Sequence, residues 1–270
     1  MTGTSRSYET IEYALADGVA LITLDREPAR NAINSVMNRE LPLVWRQFAS
    51  DPAARVAILT GRGSKAFCTG ADLKDLPVMD GGGREGSLQS IRWTPLQNEV
   101  WKPVIVAVNG MTVGGGLHFV ADADIVLAAD AATFFDTHVA VGLVAGLEPV
   151  ALCRRLPIGA VLKMALIGGA ERMTAMHAQR LGLVDEVLPT SELLARARVL
   201  AHAIARHSPA ALARTKKAIW EAQELGLRAG LENAWRHILA QTSHPDVAEG
   251  AAAFLEGRPP RWAPPEGEAS

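Results

Sequence analysis

Ala66-Phe67-Cys68-Thr69-Gly70-Ala71-Asp72-Leu73-Lys74 follows the β-branched run Val56 to Thr60 (VAILT) and leads towards a helix. A turn of such small residues exposes backbone N–H groups, which can bind an anion or a developing oxyanion. A second stretch, Val108-Asn109-Gly110 followed by Gly114-Gly115-Gly116-Leu117-His118, continues from the run Val104 to Val108 (VIVAV). Glycines at a helix start let a ligand approach the backbone closely. Neither glycine turn is a P-loop or a dinucleotide-binding fingerprint.

Outward from these turns, the first two-thirds of the chain alternates strand and helix signals. Val19 to Leu24 (VALITL) reads as a strand, and Ile125 to Leu127 and Val184 to Val187 as weaker ones. Ser35 to Ser50 carries spaced apolar positions behind a serine N-cap candidate, with Pro42 expected to kink or delay the helix. From Ser191 onward the signal is helical. Ser208-Pro209 is a good helix start, and the following turns place Ala211, Ile219 and Trp220 on one face, with Lys216 and Lys217 on others. Further helices are expected over Leu231 to Gln241 and Val247 to Glu256, before Pro259, Pro260, Pro264 and Pro265 end regular structure. The tail after them is expected to be mobile. Gly81 to Gly86 (GGGREG) reads as a linker or as a loop that orders over a ligand. No internal repeat stands out.

Composition excludes several classes. The 270 residues are 49% hydrophobic and 21% charged, enough for a sizeable core. Twenty-seven basic residues are matched by 29 acidic ones, so there is no electrostatic case for nucleic acid. Cys68 and Cys153 are too few for a disulfide framework and are expected to be reduced thiols in a cytoplasmic protein. The N-terminal residues lack the apolar stretch of a signal peptide. The longest uncharged run, Pro103 to Ala121, holds Asn109, His118 and four glycines, and reads as buried strand, turn and helix rather than a membrane span.

A third segment, Leu24 to Asn34 (LDREPARNAIN), makes the combination specific. The chain resembles the crotonase (enoyl-CoA hydratase/isomerase) superfamily from about Val19 to Trp262, including TAMHAQRLGLVDEVLP, SPAALARTKKAI and the ending FLEGRPPRW. The resemblance implies an α/β fold: a spiral of ββα units over residues 1–195 that binds acyl-CoA, and a C-terminal helical region over 196–270 that builds a homotrimer or a dimer of trimers. It implies an acyl-CoA substrate whose thioester oxygen sits between the N–H groups of Ala71 and Gly115. Ala71, Asp72, Leu73 and Lys74 match the stretch beside the CoA moiety, with Lys74 able to meet a phosphate. Coenzyme A is part of the substrate; no metal or redox cofactor, membrane or nucleic acid is implied.

The family pattern breaks at two positions. Hydratases of the family carry two glutamates that hold water; the matching residues here are His118 and His138. If both rings face one site, their titrations are coupled, and one neutral base with one cationic acid can add water to a double bond. Glu148, ten residues beyond His138, is a possible third catalytic group or simply a favourable first-turn residue of a helix. Asp136 would share a face with His138 in an extended segment and could then orient the imidazole, but it stays outside the expected catalytic set. His177, His202, His207, His237 and His244 read as packed or surface residues, and Trp93 and Trp101 as core or, in a stretch that the resemblance places beside the acyl pocket, as bulky walls of that pocket. Three functions remain open. One is a hydratase-like lyase using the His118/His138 pair, of which an isomerase is a variant. Another is a hydrolase of a thioester or of a 1,3-dicarbonyl carbon–carbon bond, and the third is a non-catalytic acyl-CoA binder.

Overall fold

The computed structural model describes residues 8–75 and 91–263. The expectations for Gly81 to Gly86 and for the tail beyond Ala263 lie outside the described residues.

Two strands open the chain, β1 (Ile11–Ala16) and β2 (Val19–Leu24), paired antiparallel through Asp17 and Gly18, both at positive φ. Such a two-residue turn matches the right-handed twist of the strands it joins. Helix α1 (Ser35–Ser50) then leads to β3 (Val56–Gly61) and the short β4 (Ala66–Cys68). The pattern returns as β5 (Val104–Val108), β6 (Met111–Val113) and α2 (Leu117–Ala121). It returns again as β7 (Ile125–Ala129), β8 (Thr133–Phe135), α3 (Leu147–Leu152) and α4 (Ile158–Leu166). Next come β9 (Met173–Thr174), α5 (Ala175–Leu181), β10 (Glu186–Leu188) and four helices. These are α6 (Leu193–Ala205), α7 (Pro209–Ala222), α8 (Leu227–Thr242) and α9 (Pro245–Glu256).

Each turn of this spiral gives one strand to a six-stranded sheet, ordered β1-β2-β3-β5-β7-β10, and one to a four-stranded sheet, ordered β4-β6-β8-β9. Beyond β1 the larger sheet is parallel, and every residue of β3 and β5 is buried. Strands covered on both faces read as unbroken apolar runs, which is why VAILT and VIVAV stood out in the sequence. The ββα unit does recur, although no repeat was visible. The second-sheet strands have two or three residues each, too few to carry a period.

Local expectations shift in four places. The cap of α1 is Asn34, whose side chain accepts from the Met37 N–H, rather than Ser35. Helix α1 runs unbroken through Pro42, because Met37 and Leu41 before it and Val44, Trp45 and Phe48 after it are all buried in the core. The last strand of the large sheet is Glu186–Leu188, with Val184 buried just before it. Lys216 points inward, its ammonium 2.8 Å from Asp124 and 2.9 Å from the Lys102 carbonyl, while Ile219 is 60% exposed. The Ser208 hydroxyl caps α7 at the Ala211 N–H, as its position before Pro209 suggested.

Candidate active site

Leu24 to Asn34 is the frame on which the first glycine turn is hung. Asn31 is wholly buried at φ 57° and its amide donates to the Arg62 and Ala66 carbonyls, while its oxygen accepts from the Arg26 N–H. The Arg26 guanidinium reaches the Ala32 carbonyl and pairs with Asp72 at 3.0 Å. The Ile33 N–H donates to the Gly70 carbonyl, and the Asp72 N–H donates back to the Ile33 carbonyl, both at 2.8 Å. Alternate residues of an extended chain turn their peptide groups to opposite edges. The Ala71 N–H therefore points away from Ile33.

Ala71 lines a cleft of about 730 Å3 together with Gly114, Gly115 and His138. The turns at Gly70 and Gly115 touch. Gly70 sits at φ 80°, and a Cβ there would fall 2.7 Å from the Gly115 nitrogen, so only glycine permits the approach. Gly114, at φ 48°, lies against the Cε1 edge of the His138 ring; a Cβ on it would fall 3.2 Å from Cε1. Gly114–Gly116 forms one 3-10 turn that runs directly into α2 and is closed by the Leu117 N–H on the Gly114 and Gly115 carbonyls, so the Gly115 N–H, at its start, has no acceptor within the turn. Two backbone donors from different parts of the chain thus border one cavity.

The titratable groups form a chain. Asp136, immediately after β8 and wholly buried, accepts the His138 backbone N–H at 2.8 Å and holds Nδ1 of its ring 3.0 Å from both carboxylate oxygens. The opposite ring nitrogen, Nε2, lies 3.9 Å from Oε1 of Glu148. That same oxygen is 3.4 Å from Nε2 of His118. Glu148, in the sequence a possible third group or a first-turn residue of a helix, therefore stands between the two imidazoles. His138 lines the cleft, whereas His118 lies deeper, its ring edge-on to Trp93 with centroids 5.7 Å apart. Trp93 is buried as expected, its indole N–H donating to Asn38, yet it also backs the site.

The hydrogen bond to Asp136 raises the His138 pKa; burial opposes this, and the charges of Glu148 and Asp136 add to it. Burial pushes the Glu148 carboxyl up, but the His118 hydrogen bond and charge, with a contribution from His138, bring it below the ordinary glutamate value. Opposite His138, Arg30, Asp72, Leu73 and Lys74 line the cleft wall. Asp72 is already engaged by Arg26 and by the Lys74 N–H. Among the described residues no group of three or more His, Cys, Asp or Glu is arranged to hold a metal ion.

This site sits on a chain that matches the family described as enoyl-CoA hydratase/isomerase over residues 15–265. The chain belongs to that family. It is 35% identical to the (E)-benzylidenesuccinyl-CoA hydratase of Thauera aromatica, over 92% of this chain and 96% of the relative. It is 34% identical to the 2,3-dehydroadipyl-CoA hydratase of Escherichia coli K12, over 90% and 94% of the two chains. The crystal structure of an enoyl-CoA hydratase/isomerase from Mycobacterium paratuberculosis superposes with a TM-score of 0.87 at 37% identity, covering 95% of this chain and 99% of that one. The protein is thus an enoyl-CoA hydratase family enzyme acting on acyl-CoA substrates, with the two mixed sheets and C-terminal helices of that fold. Within this enzyme the sequence had brought Ala71, Gly115, His118, His138 and Glu148 into view. Asp136, kept outside the expected catalytic set although its place two residues before His138 let it orient the imidazole, is brought against the ring.

Proposed function

We propose that this enzyme adds water to an α,β-unsaturated acyl-CoA, with His138 as base and the His118–Glu148 pair returning the proton. The thioester oxygen accepts from the N–H groups of Ala71 and Gly115, which stabilise the enolate as charge develops. His138 takes a proton from water through Nε2, the oxygen adds to Cβ, and Cα receives the proton that the Glu148 carboxylate shares with His118; the proton on His138 then passes over Glu148 to restore that pair and close the cycle. Glu148 restores a carboxylate to a site where histidines stand at both expected glutamate positions. The observation that carries this reading is the place of His138 Nε2, in the cleft that Ala71 and Gly115 border and 3.9 Å from Glu148. The relatives from Thauera aromatica and Escherichia coli, both named as hydratases, support it.

Asp72, Leu73 and Lys74 flank the CoA moiety in the same reading, with Lys74 meeting a phosphate, and no separate cofactor takes part. Residues 1–195 carry binding and chemistry in the cytoplasm, and residues 196–270 build a homotrimer or a dimer of trimers. The deciding experiment is mass spectrometry of products from a panel of enoyl-CoA and β-ketoacyl-CoA esters in 18O-labelled water. One 18O on an intact hydroxyacyl-CoA is the expected result. Label in a released carboxylate would overturn hydration in favour of hydrolysis. That second reading is favoured by one feature, a histidine paired with a buried aspartate beside two oxyanion donors, which equally suits attack of water on a carbonyl.

A further inference from the structure

We infer that Asp136 is the positioning residue of this site, holding His138 with its proton on Nδ1 so that an unprotonated Nε2 faces the cleft. A carboxylate offers only acceptors, so the ring nitrogen beside it must donate. Both oxygens of Asp136 lie 3.0 Å from Nδ1, and one of them also accepts the His138 backbone N–H, which ties the side chain and main chain of one residue to a single buried anchor. The register of the second sheet puts Val113 opposite Phe135, so Gly114 and Asp136 leave their strands side by side. The bare face of Gly114 then takes the edge of the ring, and the imidazole is fixed from two directions. Asp136 does not reach the substrate in this arrangement; it acts through His138.

The inference rests on His138 being the base, but its first test does not depend on the reaction. Nitrogen-15 NMR of the free enzyme, with the His138 signals assigned by their loss in His138→Gln, should show a protonated Nδ1 and a bare Nε2 in the neutral ring. A neutral ring with its proton on Nε2 would overturn the inference without any variant of Asp136. In Asp136→Asn the amide can donate to Nδ1, and the proton should move to Nε2. Turnover of whichever ester the wild type accepts should then fall on the order of 10²–10⁴-fold, by comparison with aspartate-to-asparagine changes beside other catalytic histidines. In a His138→Gln background the same change should add no further loss, whereas an independent loss would assign Asp136 a purely structural role. Label found in a released carboxylate would change the reaction and leave the tautomer result standing, so the two readings fail separately.

Discussion

At the scale of single residues, two carboxylates hold two imidazoles in alternation, and the order Asp136, His138, Glu148, His118 sets which nitrogen does what. The groups facing His138 are Asp136 at the end of β8 and Glu148 on α3, with His118 behind Glu148 and Arg30, Asp72 and Lys74 across the cleft. Because the His138 pKa lies above its ordinary value of 6.5, the neutral base forms only as pH rises past that raised value. The rate should therefore have a rising limb above pH 6.5. Glu148→Gln removes a negative charge that favours the imidazolium, so the limb should move to lower pH while kcat drops by about 10²-fold or more. A kcat/KM profile against pH for both forms checks this, and an unmoved limb would exclude the electrostatic role of Glu148. The separation of these residues explains why the chain of contacts could not be read beforehand. His118 and Glu148 are 30 positions apart, and nothing in their spacing says that they meet.

Among the elements, α1 shows how a local signal and the core compete. Both Asn34 and Ser35 are acceptable caps by type, but only Asn34 has the extended backbone, at φ −95° and ψ −177°, that lets its side chain turn back onto the Met37 N–H. Asn34→Ala should cost about 1 kcal/mol in a denaturant melt, and Ser35→Ala, whose hydroxyl donates to the exposed Asp75, only a few tenths. Equal losses would mean that the cap is shared. Pro42 removes one hydrogen bond from the helix, yet tertiary burial on either side holds the axis together. Strand β1 was legible in principle. Asp17-Gly18 is a hairpin signal, and Ile11–Ala16 has only one fully buried position, so its apolar pattern is faint.

Over the whole molecule, the same chain buries a polar anchor and leaves apolar surface uncovered. Lys216 of α7 is buried and paired with Asp124, which also accepts from the Trp220 indole and the Val104 N–H, so an ion pair pins the helical region to the spiral. Leu227, Leu231, Trp235 and Ile238 follow one face of α8 and are each at least half exposed, and Phe254 and Leu255 on α9 are more open still. Monomers rarely leave so much contiguous apolar surface in water. Sedimentation equilibrium should accordingly give a trimer or a hexamer, and the double change Leu231→Asp with Trp235→Asp should yield a smaller species. A wild-type monomer at micromolar concentration would remove the assembly from the reading.

Several features were determined by the sequence alone: the buried strands, the two glycine turns, the helical last third and the family to which they belong. Each depends on residue type at short range. β-branched runs favour strands, and glycine alone tolerates the φ of 80° that Gly70 adopts beside the Gly115 nitrogen. Tertiary structure alone decided that Glu148 lies between the histidines, that Asp136 meets His138 at Nδ1 rather than merely sharing its face, and that Lys216 turns inward. Those contacts arise where β6 and β8 align in the second sheet and where α3 and α7 pack back on the spiral. The partner of a buried charge is set by which segments the fold brings together, and the energy of leaving such a charge unpaired favours arrangements in which it is met, as Lys216 is by Asp124.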